Sequence, residues 1–277
     1  MNNKILVITG MHRSGTSLIT QWLHKCGLPV GDRLMNALPS NPEGHFEDLD
    51  FVEFHARVLE KQGTGGHGLD DKAVHPMDAK DLQELGAIIA DKNIQHTAWG
   101  WKDPRTCLFL SAYRRLLPDA VYLIIVRDYN SVVNSLISRA YRSAEKKYMT
   151  RSPFSALLWK TFRSKVRKRK LYREFAEKYL RVSIAYNEHI LQHTRQLPKD
   201  RYRVVDYKGL TGSDNAVFAQ LHKDWGFPLH YTSFKGVYKE NLIHTPVSLL
   251  PFVKDKSLFT KAAELEAEMR KLIPAGD

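Results

Sequence analysis

The stretch Gly10-Met11-His12-Arg13-Ser14-Gly15-Thr16-Ser17 constrains the fold of this chain more than any other. Lys4-Ile5-Leu6-Val7-Ile8, just before it, is a β-branched apolar run of the kind that forms a buried parallel strand. Behind it, Leu18, Ile19, Trp22, Leu23 and Cys26 recur at helical spacing until Gly27 interrupts them. Strand, glycine-bounded loop and helix together aim unpaired backbone N–H groups and a helix N-terminus at one anion. Gly10 and Gly15 let the backbone curl close to a ligand, and Thr16 and Ser17 can cap the helix and donate hydroxyls. The stretch therefore reads as a phosphate-binding loop. Nucleoside triphosphatases write such a loop as G-x-x-x-x-G-K-[ST], with the lysine on the β/γ-phosphates. Here the two glycines keep that separation, Thr16 takes the lysine's place, and the cation sits inside the loop at Arg13.

A chain of 277 residues with 43% hydrophobic and 10% aromatic content can bury the core of a large α/β domain. Residues 1–277 are expected to form one domain. Strand 1 begins almost at the N-terminus, with no signal peptide ahead of it, and no apolar run approaches the length of a membrane span. A soluble, cytoplasmic protein is expected. Cys26 and Cys107 lie in apolar patterns and read as reduced core thiols, and no Cys/His cluster has zinc-ligand spacing.

The net charge of +12 is confined to one place. Residues 139–173 hold 13 Lys/Arg and one acid, Glu145, so the remainder balances at 29 against 29. This segment also carries Trp159, Phe162 and the run Arg167-Lys168-Arg169-Lys170. Such a basic helical stretch suits an anionic polymer, an anionic membrane surface or plain solvation.

Four other stretches carry chemistry. Asn41-Pro42-Glu43-Gly44-His45-Phe46-Glu47-Asp48 closes a long Pro/Gly/Asn-rich loop over residues 28–49. Trp99-Gly100-Trp101-Lys102-Asp103-Pro104-Arg105 is a short strand running into a polar turn, which sets Lys102 at the edge where open parallel sheets bind ligands. Val121-Tyr122-Leu123-Ile124-Ile125-Val126 is the clearest central strand, followed at once by Arg127 and, eight residues later in a helical pattern, by Ser135. Tyr202-Arg203-Val204-Val205-Asp206-Tyr207 is the last strand. The tract Gly63–Gly68 has no strand before it, so it is read as a flexible acceptor-side loop, not a dinucleotide fingerprint. Helical faces are expected around Phe51–Leu59, Leu82–Ile89, Val132–Ala140 and Tyr172–Arg195, and an amphipathic C-terminal helix around Leu258–Leu272. That last helix should pack on the domain, with a dimer contact as the alternative.

Taken in order, these stretches resemble the sulfotransferases that use 3′-phosphoadenosine 5′-phosphosulfate (PAPS), in particular the bacterial branch, over most of residues 4–230. The resemblance implies an α/β fold: a mostly parallel sheet flanked by helices, a P-loop after strand 1 and a helical basic insertion. It implies that His12, Arg13, Ser14, Gly15, Thr16 and Ser17 hold the 5′-phosphosulfate, that Arg127 and Ser135 hold the 3′-phosphate, and that Tyr207 contacts the adenine. It also implies Lys102 on the transferring group and Glu47 as general base, with Asp48 second and His45 first of all shape-filling. The Arg-Lys-Gly stretch of eukaryotic members is reduced here to Phe234-Lys235-Gly236 and Lys239. PAPS is the expected co-substrate and no metal is expected. The acceptor is expected to be a small molecule, lipid or saccharide hydroxyl, or an amine. Nucleic acid is not the expected partner. A P-loop kinase or hydrolase, and a non-enzymatic binder of polyanions or membranes, are the alternatives.

Overall fold

The computed structural model describes residues 3–35, 44–206, 208–238 and 246–275. Four parallel strands form one sheet in the order β2-β1-β3-β4: β1 (Lys4–Thr9), β2 (Ala98–Lys102), β3 (Val121–Val126) and β4 (Tyr202–Asp206). Leu6 of β1 pairs with Gly100 of β2 and Val121 of β3, and Ile124 of β3 pairs with Val204 of β4. The chain leaves β1 on one side, returns over it, and continues on the other, so the strand order reverses at β1. In sheets of this order the crevice at the carboxyl ends of β1 and β3 is where ligands bind.

Alternation along β1 divides the core. Ile5 and Val7 point to one face with Trp99, Trp101, Tyr122 and Ile124, while Leu6 and Ile8 point to the other with Leu123 and Ile125. Helices α1 (Thr16–Lys25) and α8 (Leu210–Ala219) cover the second face. The first is covered by α2 (Leu49–Lys61), α3 (Ala79–Gln95), α4 (Leu110–Leu116), α5 (Tyr129–Arg151), α7 (Ser164–Thr194) and α9 (Ser257–Lys271). Gly27, at φ 98°, stops α1, and the Leu28 N–H reaches back to the Leu23 carbonyl at 3.0 Å. Asp48, Asp78 and Asp128 cap α2, α3 and α5 with their carboxylates. Leu258, Ala262, Leu265 and Met269 bury one face of α9 against the domain, as its amphipathic pattern predicts.

The basic segment is helical except at Ser152, whose extended backbone ends α5 and caps the next helix. It runs down the far half of α5, through α6 (Pro153–Leu158) and a π-turn at Trp159–Arg163, and back up α7. Trp159 is buried at the tip, stacked on Tyr148 at 4.9 Å and hydrogen-bonded to Glu145 at 3.2 Å.

Candidate functional site

The loop after β1 is built on two backbone requirements. A Cβ on Gly10 would lie 2.6 Å from the Ile125 carbonyl oxygen, so β3 passes too close for any other residue. Gly15 (φ 103°) caps α1 in the left-handed region without a side-chain cap, and no acidic residue occupies the first turn. Arg13 also takes a left-handed φ of 67°, an expensive choice for a residue with a side chain and one that recurs at binding sites. That backbone turn sends the Arg13 Nε to Ser135 Oγ on α5 at 2.9 Å. Arg127, at the end of β3, donates to the Arg13 carbonyl at 2.8 Å. Arg13, Arg127 and Ser135 thus meet beside the crevice between β1 and β3.

A second cluster forms across the loop, at the end of β2. Lys102 has its side chain buried, and its Nζ lies 3.2 Å from Ser17 Oγ and 2.5 Å from Glu47 Oε1. The Glu47 side chain is 12% exposed, so this ion pair is largely shielded from water yet open on one side. Phe46 beside it has φ 51°, the other left-handed non-glycine among the described residues. His45 is buried, with Nε2 lacking a hydrogen-bond partner, and burial lowers its pKa; Glu47, Lys102, Arg139 and Arg13 all act on it electrostatically.

Asp48 is committed elsewhere. It accepts from the Asp50 N–H as the α2 cap and pairs with Lys92 Nζ at 2.6 Å. Lys92, itself buried, also holds Asp32 at 2.8 Å and Asp50 at 2.7 Å. Burial pulls its pKa down, but three carboxylates more than offset this and leave it raised. Lys92 therefore clamps both ends of the 28–49 loop to α2 and α3, and among the described residues of that loop Glu47 is the acid that reaches Lys102.

Below Lys102 lies a buried relay. Asp103 accepts from Arg105 Nε at 2.9 Å and from His55 Nδ1 at 2.9 Å, and Tyr113 O–H meets His55 Nε2 at 2.7 Å. Burial alone would raise the Asp103 pKa, yet Arg105 and His55 hold it well below the usual carboxylate range. Burial keeps His55 neutral, with Nδ1–H donating to Asp103 and Nε2 accepting from Tyr113. Arg105 and Tyr186 also tie down the glycine tract, donating to the Gly66 and Gly68 carbonyls at 2.9 Å each. The tract read as flexible is thus anchored from the β2 turn and from α7.

The fit to a phosphosulfate nucleotide can be tested on the donor set. Ser14 Oγ and His12 Nε2 are buried atoms without hydrogen-bond partners, the condition of groups that await a ligand. Burial pushes the His12 pKa down to about 3; Asp103 opposes it, while the nearby cations Arg105, Lys102 and Arg139 add to it, so His12 offers a neutral imidazole. With the uncapped α1 amides, Arg13, Arg127 and Lys102, the cradle suits a polyanion. Asp128, which in a nucleoside triphosphatase would be placed for magnesium, spends its carboxylate on the Ser131 N–H at 2.8 Å. Glu43, Tyr207 and Lys239 lie outside the described residues. Phe234–Gly236 form a short turn whose Phe234 packs edge-on against Trp22 at 5.7 Å.

Sequence reading missed the parts played by Arg105, His55 and Tyr186, each of which reaches a partner 39 or more residues away. It also missed Arg139, one helical turn beyond Ser135, which lowers the pKa of both His12 and His45. Only the i,i+4 spacing from Ser135 could have flagged it.

The model of the sulfotransferase family matches residues 6–231. Among solved structures, sulfotransferase STF9 from Mycobacterium avium superposes with a TM-score of 0.55 at 14% identity, covering 97% of this chain and 77% of that one. The sulfotransferase domain of the Synechococcus PCC 7002 olefin synthase gives 0.49 at 15% identity over 98% and 96%. Sulfotransferase STF1 from Mycobacterium tuberculosis gives 0.47 at 13% over 95% and 77%. At such identities the likeness concerns the fold, and the fold assignment rests on the first of the three. None of the curated proteins matches the chain.

Proposed function

We propose that this chain, which belongs to the sulfotransferase family, transfers a sulfuryl group from PAPS to a hydroxyl or amine of a small-molecule, lipid or saccharide acceptor. The observation that carries the reading is the convergence at the ends of β1, β2 and β3: Lys102 on Ser17 and Glu47, and Arg13 on Ser135 beside Arg127.

PAPS supplies an activated sulfuryl group on a phosphosulfate anhydride. The protein's part is to bind, orient and move one proton. Arg13, the loop amides, Ser14 and Thr16 would hold the 5′-phosphosulfate and stabilise the charge that grows on the bridging oxygen. Lys102 Nζ would neutralise the oxygens of the group in transit. Glu47, released from Lys102 by that competing anion, would accept the acceptor's proton. Arg127 and Ser135 would recognise the 3′-phosphate, a dianion that calls for a forked cation and a hydroxyl. Tyr207 follows β4 in sequence and is assigned to the adenine on the strength of the family pattern. Positioning and electrostatics suffice for an in-line transfer. Two buried, unpaired thiols, Cys26 and Cys107, suit a cytoplasmic setting.

The test is release of 3′,5′-adenosine bisphosphate from sulfur-labelled PAPS against a panel of phenols, sugars and lipids. Acceptor-dependent release with label appearing in the acceptor supports the reading. Magnesium-dependent hydrolysis of ATP, with PAPS untouched, would overturn it.

A further inference from the structure

The tip of the basic segment carries an apolar stripe that sulfuryl transfer does not use. Phe154, Leu157, Phe162 and Val166 are 70%, 58%, 73% and 70% exposed, and Met149 at the end of α5 is 38% exposed. These five lie within 18 residues and make up most of the large exposed apolar side chains among the described residues. Trp159 of the same tip is buried instead, stacked on Tyr148.

The π-turn aligns the stripe. Backbone on both sides of Trp159–Arg163 is right-handed helical, so α6, the turn and α7 form one continuous rod. In an uninterrupted α-helix Val166 would sit about 120° around from Phe154, but the extra residue in the turn delays the phase by about one step and leaves it about 20° away. Phe154, Leu157, Phe162 and Val166 therefore share one face. Lys165, Arg169 and Lys170 border that face, and Lys146, Lys147 and Arg151 stand exposed beside it on α5. A solvated basic helix has no need of two exposed phenylalanines, and duplex nucleic acid, its bases already stacked, offers them no apolar phase.

We propose that this tip docks on an anionic lipid surface, with Phe154, Leu157, Phe162 and Val166 entering the headgroup–acyl boundary and the surrounding lysines and arginines meeting lipid phosphates. Aromatic and aliphatic side chains on one face, with cations around them, is the pattern of a helix that lies in a membrane interface. The surplus of +12 between residues 139 and 173 supplies the charge complementarity. No helix among the described residues is long and apolar enough to cross a membrane, so contact is peripheral. The inference stands apart from the sulfuryl-transfer reading and does not require it.

The experiment is co-sedimentation of the full chain with phosphatidylcholine vesicles, alone or with about one third phosphatidylglycerol. The parent should pellet with the anionic vesicles only, and less so as salt is raised. The double variant Phe154→Ser/Phe162→Ser should lose binding by about tenfold or more while keeping its thermal midpoint, because both side chains are exposed. Failure of the parent to pellet, or a double variant that pellets like the parent, would overturn the proposal. So would a parent dimer in analytical ultracentrifugation that the double variant converts to monomer, which would make a second copy the occupant. Equal binding of parent and variant to soluble heparin, without vesicle binding, would assign the tip to polyanions instead.

Discussion

Glu47→Gln separates the chemistry of the site from its architecture. Glu47 Oε1 sits 2.5 Å from Lys102 Nζ, and the two side chains are 12% and 1% exposed. Glutamine keeps the shape and an oxygen that can accept from Lys102, but it cannot take a proton from an acceptor hydroxyl. Loss of a general base costs on the order of 10²–10⁴-fold in turnover. Nucleotide affinity should change less than about threefold, since Glu47 pairs with Lys102 while Arg13, Arg127 and Ser135 bond to one another in a separate cluster. Folding will also register the change, because a charged hydrogen bond becomes a neutral one beside a buried ammonium. That costs about 2 kcal/mol, or roughly 4–8 °C in midpoint for a chain of this size. Steady-state sulfuryl transfer, calorimetric titration with 3′,5′-adenosine bisphosphate and a thermal melt read the three effects separately. Turnover within about threefold of the parent, with the predicted loss of stability, would show that Glu47 is a partner for Lys102 and not the base. Equal loss of turnover and nucleotide binding would refute the division of the site into two clusters.

Two further outcomes are expected. Arg127→Ala removes a guanidinium that also donates to the Arg13 carbonyl at 2.8 Å; affinity for the 3′-phosphorylated nucleotide should fall by about 1.5–3 kcal/mol in calorimetry, while adenosine 5′-phosphate, lacking that phosphate, should be nearly unaffected. Equal losses for both nucleotides would remove Arg127 from the 3′-site. His12 is held neutral in the folded protein, its pKa pushed down by burial to about 3, whereas in the unfolded chain it protonates below about 6.5. The unfolded state therefore binds the extra proton, and stability falls as pH drops from about 6.5 toward 3, by up to about 2 kcal/mol between pH 7 and 5 from this residue. Urea unfolding of His12→Asn at pH 7 and pH 5 should show that much less acid sensitivity than the parent, and an unchanged difference would place His12 in water.

What could be read from the sequence was what is local. The P-loop stretch announces itself because strand, glycines, Arg13 and helix are contiguous, and Lys102 and Arg127 are visible because each ends an apolar strand. The four strands were each legible for the same reason. Their order, β2-β1-β3-β4, was not, since it depends on which helices cover which face. Lys92 looked like one more polar residue of a helix; only the fold brings Asp32, Asp48 and Asp50 to it. The glycine tract looked mobile because the groups that hold it, Arg105 and Tyr186, are 39 and 118 residues away. The π-turn at Trp159–Arg163 changes the phase of the helix, so a wheel drawn from the sequence would scatter Phe154 and Val166 over different faces. Arg139 was counted with the basic run, although the helix places it one turn from Ser135.

The most direct test of the account is calorimetric titration with 3′,5′-adenosine bisphosphate beside Mg·ATP in the same buffer. The account predicts tight binding of the bisphosphate that is unaffected by magnesium and weakened by Arg127→Ala, with little heat from Mg·ATP. Preference for Mg·ATP would contradict it and return the phosphate loop, Thr16 notwithstanding, to nucleoside triphosphate chemistry.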